Sequence, residues 1–229
     1  MFRFTTLVLF CCSVMVCTAL GDSITVFNTG EGLGGTALPI GEIDPNYILI
    51  SAPLGVPLTA ITTTPNAVWT INTATADWLT PSGSANISYP LGNYNYQTTF
   101  DLAGLNPSTA ELSGSWTSDN NGCIYLNGVN TGNCTTFQDF GSLIPFSITS
   151  GFQAGVNTLD FVVTNGIGTS TNPTGVIAEV SGTASPISAV PEPSYLWLIG
   201  TGLLAALYIP RQHQRRIPRQ EHGSGVRQG

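Results

Sequence analysis

Residues 94–102 read YNYQTTFDL, and the apolar and polar positions alternate. Tyr94, Tyr96, Thr98, Phe100 and Leu102 fall on one side of an extended chain, and Asn95, Gln97, Thr99 and Asp101 on the other. A period of two predicts a half-buried β-strand. The run NTLDFVVTN at 157–165 repeats the pattern, with Leu159, Phe161 and Val163 inward. Further strands are expected at 24–28, 47–51, 67–71, 110–117, 122–127, 144–149 and 175–184. Asn127-Gly128 signals a tight turn. Residues 104–107 and 151–155 read as loops between strands. Many short strands separated by Gly, Asn and Pro, with no internal repeat and no heptads, predict an all-β fold, an antiparallel β-sandwich of jelly-roll type.

The two ends break this pattern. Arg3 precedes an apolar run, LVLFCCSVMVCTAL at 7–20, that is too short for a membrane span and reads as a secretory signal helix. Ala19 and Gly21 are small residues two apart, so cleavage is expected after Gly21, with Ala19 as the other candidate. At the far end, Tyr195 to Ile209 carry no charge, and Pro210 and an Arg cluster follow. This segment, 195–210, is expected to be a single membrane helix, with Arg211, Arg215 and Arg216 held on the cytoplasmic side. Arg3 lies on that side during export, so both ends place everything between them outside the cell. The expected organisation is a signal peptide (1–21), a β-sandwich ectodomain (22–184), a Pro-containing linker (185–194), the helix (195–210) and a basic, disordered tail (211–229).

Charge sharpens the picture. The chain holds no Lys, and five of its six Arg and both His lie in the C-terminal tail. Residues 22–190 hold eleven acids, Asp22, Glu31, Glu42, Asp44, Asp77, Asp101, Glu111, Asp119, Asp139, Asp160 and Glu179, and no Lys, Arg or His. Nucleic-acid binding needs cations for phosphates, and this region has none. Without an imidazole it supports neither a Ser–His–Asp nor a Cys–His centre, nor a His-ligated zinc. Carboxylate chemistry, a calcium site, and binding through aromatics and amides stay open. Cys11, Cys12 and Cys17 leave with the signal peptide. Cys123 and Cys134 remain, an even pair that reads as a disulfide in an exported domain.

Pro191-Glu192-Pro193, then an apolar run containing Gly200 and Gly202, then an Arg-rich end, resembles the PEP-CTERM sorting signal of Gram-negative bacteria. The resemblance covers about residues 189–216 and is paired with a signal peptide. It implies export, transient anchoring in the inner membrane and recognition by an exosortase, a membrane-embedded cysteine enzyme thought to cleave near the motif. It also implies a final place at the cell surface or in an extracellular matrix, in the setting of exopolysaccharide or biofilm. The family usually ends a few residues past the basic cluster, whereas this chain continues to Gly229. The two prolines disfavour helix before them and keep the segment extended, as a processing enzyme requires.

A second resemblance covers about residues 94–182. TTFDLAGLNPSTAELSGSWTSDNNGCIYLNG, PFSITSGFQAGVNTLDFVVTNG and PTGVIAEVSG are similar to galactose-binding-like jelly-roll domains of bacterial surface proteins. The shared positions are turns and core, so they speak for fold more than ligand. That family includes carbohydrate-binding modules.

Three chemistries are weighed on the residues themselves. Trp69, Trp78 and Trp116 are candidate stacking platforms for sugar rings; a core position is favoured for Trp116, and Trp78, in ADWLTPSGS, is the better exposed candidate. Asp119, Asn120 and Asn121 cluster in SDNNG, but three neighbours do not supply the six to eight oxygens calcium takes, and an Asx-rich turn explains them more simply. A glycosidase needs two placed carboxylates, and scattered acids offer no motif for that. The expectation is therefore a non-catalytic surface or matrix protein without a required cofactor, with extracellular polysaccharide as candidate ligand. A secreted carbohydrate-active enzyme with paired carboxylates and a structural matrix protein without ligand are the alternatives.

Overall fold

The computed structural model describes residues 21–166 and 172–187. Residues 1–20 of the expected signal peptide, the Pro191-Glu192-Pro193 motif, the expected membrane helix and the basic tail lie outside the described residues. Eleven strands are present among the described residues: β1 (Asp22–Ser23), β2 (Ile48–Ser51), β3 (Ile61–Thr63), β4 (Trp78–Thr80), β5 (Gly92–Asp101), β6 (Glu111–Asp119), β7 (Asn121–Leu126), β8 (Val129–Thr135), β9 (Ile144–Ile148), β10 (Val156–Asn165) and β11 (Gly175–Ala184). Two short 3₁₀ turns, Pro107–Thr109 and Asp139–Gly141, are the helical elements described. No helix among the described residues is long and apolar enough to cross a membrane.

The strands form two antiparallel sheets packed as a β-sandwich. One runs β3-β4-β11-β6-β9, with β1 pairing β11 beyond β4; the other runs β2-β5-β10-β7-β8. Four strand pairs are nested in the chain: β4 with β11, β5 with β10, β6 with β9, and β7 with β8. Successive pairs lie in alternate sheets.

Period-two alternation explains the main layer of core. Tyr94, Tyr96, Thr98 and Phe100 of β5 and Leu159, Phe161 and Val163 of β10 are all buried, as the sequence pattern requires. They meet Leu112 and Trp116 of β6, Phe146 of β9 and Val176 and Ala178 of β11 from the opposite sheet. Trp116 and Phe161 pack across the interface with ring centroids 5.3 Å apart. Each such side chain contributes roughly 1.5–3 kcal/mol by leaving water. The close approach of β6 to β11 depends on Gly114, where a Cβ would collide with the Glu179 carbonyl oxygen.

Two expected strands are absent. Residues 24–28 run beside β11 without forming a regular ladder. The reason is chemical: Asn28 Oδ1 accepts from Val180 N at 2.7 Å and Thr29 Oγ1 from Ala178 N at 2.9 Å, where backbone carbonyls would serve in a strand. Residues 67–71 form a loop folded over the outer face of the first sheet. There Trp69 and Trp78 stack at 4.2 Å and join Ala76, Ala85 and Ile177 in a second small core, with Phe140 and Leu143 beside it. That packing, not strand pairing, explains the apolar residues of 67–71.

Candidate functional site

The expected exposure of Trp78 is corrected first, while Trp116 takes the core position favoured for it. Trp78 is 0 % exposed and Trp116 1 %. Trp78 opens β4 in the sheet, stacks on Trp69 and donates its indole N–H to Thr70 O at 2.8 Å. Neither presents a ring face to a sugar. The Gly-, Ser- and Pro-rich flank of Trp78 suggested a loop, but that loop follows the strand and leaves the ring beneath 64–77.

Asp119 and Asn121 do not occupy a simple turn. Asp119 ends β6 in one sheet and Asn121 begins β7 in the other, so Asn120 is the corner between sheets. Asp119 Oδ2 accepts from Trp69 Nε1 at 2.8 Å and Oδ1 from Asn120 Nδ2 at 2.7 Å. Asn120 Oδ1 accepts from Gly166 N and Asn172 Nδ2, both at 3.2 Å. Burial pushes the Asp119 carboxyl up to about 6, against these two donors, which lower it. Both carboxylate oxygens are thus engaged by N–H groups, and a cation there would have to displace them. Among the described residues no three His, Cys, Asp or Glu side chains gather as metal ligands.

Two further carboxyls are buried. Asp44 accepts backbone N–H bonds from Gly30, Asn46 and Tyr47 at 2.6, 2.7 and 2.9 Å. Burial raises its pKa, and those amides oppose the shift. Asp77 is 4 % exposed, and its Oδ2 has no hydrogen-bond partner. Burial pushes it up to about 6.

Cys123 and Cys134 form the expected disulfide. They stand opposite each other on β7 and β8, beyond a tight turn in which Asn127 and Gly128 both have positive φ, 52° and 78°. That backbone conformation is the one Asn-Gly favours in a hairpin.

The open face of the β2-β5-β10-β7-β8 sheet gathers polar side chains in register. Inward residues of β5, β10 and β7 fill the core, so alternation turns Asn93, Asn95, Gln97, Thr158, Thr164, Asn121 and Tyr125 outward, while Asp160 on the same side of the sheet is buried, 5 % exposed. Register sets Gln97 opposite Asp160, and Asp160 opposite Tyr125, across three adjacent strands. Gln97 Nε2 donates to Asp160 Oδ1 at 2.8 Å. One row along, Asn95 faces Val162, which faces Cys123 of the disulfide. Asn95 Oδ1 has no hydrogen-bond partner. A third row pairs Asn93 with Thr164, whose hydroxyl donates to Asn93 Oδ1 at 3.0 Å. Strands lie about 4.8 Å apart, so the Gln97–Asp160–Tyr125 row spans about 10 Å. Amides both donate and accept, and the half-buried Tyr125 adds an aromatic surface with a hydroxyl tip.

The opposite sheet offers a polar groove of about 470 Å³ along β6 and β11, lined by Asn28, Thr75, Ser115, Glu179 and Ser181. Glu179 Oε1 accepts from the Thr73 and Thr75 hydroxyls at 2.7 and 3.0 Å. Asn95 and Gln97 were legible as outward positions in the alternation of 94–102. Asp160 and Tyr125 were not singled out, although the same alternation in 157–165 and 122–127 puts both on that side of the sheet. No protein-family model matches the chain, and no curated protein is similar to it in sequence.

Proposed function

We propose that the chain is an exported, surface- or matrix-associated protein without catalytic activity, whose β domain binds a neutral extracellular polysaccharide on the open face of its β2-β5-β10-β7-β8 sheet. The partly exposed Gln97 and Tyr125, flanking the buried Asp160 that holds the Gln97 amide, carry this reading. Hydroxyl-rich ligands need donors and acceptors at spaced positions beside an aromatic surface, and this face supplies both.

Charge selects among polysaccharides. Residues 22–190 hold eleven acids and no cationic side chain, so a polymer rich in uronic acid or sulfate meets only like charge. A neutral chain meets none.

Three features support the wider assignment. The nested pairing of β4–β11, β5–β10, β6–β9 and β7–β8, folded into alternate sheets, supports a jelly-roll reading of the sandwich. The disulfide fits an oxidising compartment. The Pro191-Glu192-Pro193 motif with Arg211, Arg215 and Arg216 resembles a PEP-CTERM signal, which makes an exosortase and the export machinery its partners and the inner membrane its temporary anchor.

Affinity electrophoresis tests the binding. In gels containing a neutral glucan the protein is retarded, in gels containing a uronic-acid polymer it is not, and Tyr125→Ala abolishes the retardation. Equal mobility in every gel contradicts the reading. Loss of polysaccharide on incubation, abolished by one Asp or Glu substitution, would mark an enzyme instead.

A further inference from the structure

Exposed apolar side chains matter when they are contiguous. Ile43, Ile48 and Leu58 line one cleft of about 300 Å³ together with Pro45 and Tyr47. They are 62 %, 55 % and 54 % exposed. Ile50, at the register shift of β2, is also exposed.

This patch lies on a sheet edge. β2 is the outermost strand of its sheet and pairs with β5 alone. Natural edges are guarded by charge, by proline, by bulges or by covering segments. On the opposite side of the sandwich, β9 carries Pro145, and β8 is tied to β9 by Asn133 Nδ2 donating to Ser147 O at 3.1 Å. Residues 48–51, Ile-Leu-Ile-Ser, carry neither charge nor proline, and a register shift between Leu49 and Ser51 is the guard present.

We propose that a second copy of this chain occupies this edge. Two β2 strands pair antiparallel about a two-fold axis, join the two five-stranded sheets into one, and bury Ile43, Ile48, Ile50 and Leu58 of each copy. An antiparallel edge strand is its own complement under a two-fold axis. Charge argues for the same occupant. Every charged side chain in 21–187 is acidic, so two copies repel wherever their carboxylates face each other. The stretch 39–60 holds only Glu42 and Asp44, and Asp44 is buried on three backbone amides. A cationic partner gains nothing from so uncharged a face. Four apolar side chains and one short strand edge are a small patch beside the ~800 Å² per partner of a standard interface, so the dimer is weak and reversible. Paired copies present two Gln97–Asp160–Tyr125 rows on one continuous sheet, which raises avidity for a polymer.

Sedimentation equilibrium of the full chain in density-matched detergent, from about 1 to about 100 µM, tests this. Wild-type protein shows a concentration-dependent monomer–dimer equilibrium. Ile48→Asp, at an exposed position, raises the dissociation constant at least about tenfold with an unchanged melting temperature, a factor worth ~1.4 kcal/mol. Val129→Asp, exposed on the hairpin at the other edge, leaves it unchanged. A wild type that stays monomeric throughout, or a dimer that survives Ile48→Asp, overturns the proposal. Because Ile48 stands opposite Gln97 in register, glycan retardation is read on wild-type protein at low concentration, where it reports the sheet face without the dimer.

Discussion

Trp69 and Asp119, fifty residues apart in the chain, are joined by an indole N–H donated to the buried Asp119 carboxylate at 2.8 Å. The bond fastens the 64–77 loop to the end of β6, while the same indole stacks on Trp78. One residue thus links the second core to the corner where the chain changes sheets.

That carboxyl makes stability depend on pH. Asp119 and Asp77 hold their protons up to about pH 6 in the fold, against 3.8 for an ordinary Asp. Between these values the unfolded chain binds fewer protons than the native one, so stability falls as pH rises from about 4 to 6 and levels off above. The part due to Asp119 is on the order of 2 kcal/mol. Urea midpoints at pH 4.5 and 7.5 check this: the midpoint is higher at pH 4.5, and Asp119→Asn narrows the difference.

The disulfide closes an eleven-residue separation between β7 and β8. Its removal by Cys123→Ser with Cys134→Ser costs about 2–3 kcal/mol. Native protein takes up no thiol label at these positions, and labelling at two sites per chain would contradict the bond.

Gly114→Ala places a methyl against the Glu179 carbonyl oxygen in the β6–β11 ladder. The two nearest atoms, the Glu179 carbonyl oxygen and carbon, are backbone, so a side-chain shift cannot relieve the clash. The expected loss exceeds about 3 kcal/mol, read as a fall in melting temperature or loss of soluble protein.

Trp78→Ala separates packing from binding. It removes a fully buried ring and its bond to Thr70 O, at a cost of about 3–5 kcal/mol. Glycan retardation of the folded fraction stays unchanged, whereas Tyr125→Ala loses retardation and keeps its melting temperature.

What the chain reveals before folding follows from how each element is held. β5 and β10 are long and half-buried, so period two marks their inward and outward faces directly. The Asn127-Gly128 hairpin is legible because its φ values demand those residue types. β3 and β4 span three residues each, too short to show a period, and exist because β11 and the folded-over loop give them partners. β8, Val-Asn-Thr-Gly-Asn-Cys-Thr, reads as loop and is a strand because the hairpin and the disulfide hold it to β7. Trp69 and Trp78 misled for the complementary reason: their burial comes from a loop covering the outside of a sheet, and no local pattern encodes that. The Gln97–Asp160–Tyr125 row needs the register of three strands distant in sequence, so its members were visible singly but not as a row.

The proposed export would account for the disulfide, the acidic domain and access to polysaccharide alike, and the mass of the protein from its native cells and medium tests it most directly. The account predicts a species of about residues 22–193, trimmed at both ends, and replacing Pro191-Glu192-Pro193 with three alanines blocks the C-terminal trimming. A species that retains residues 1–21, or one that ends at Gly229 in every fraction, would contradict it.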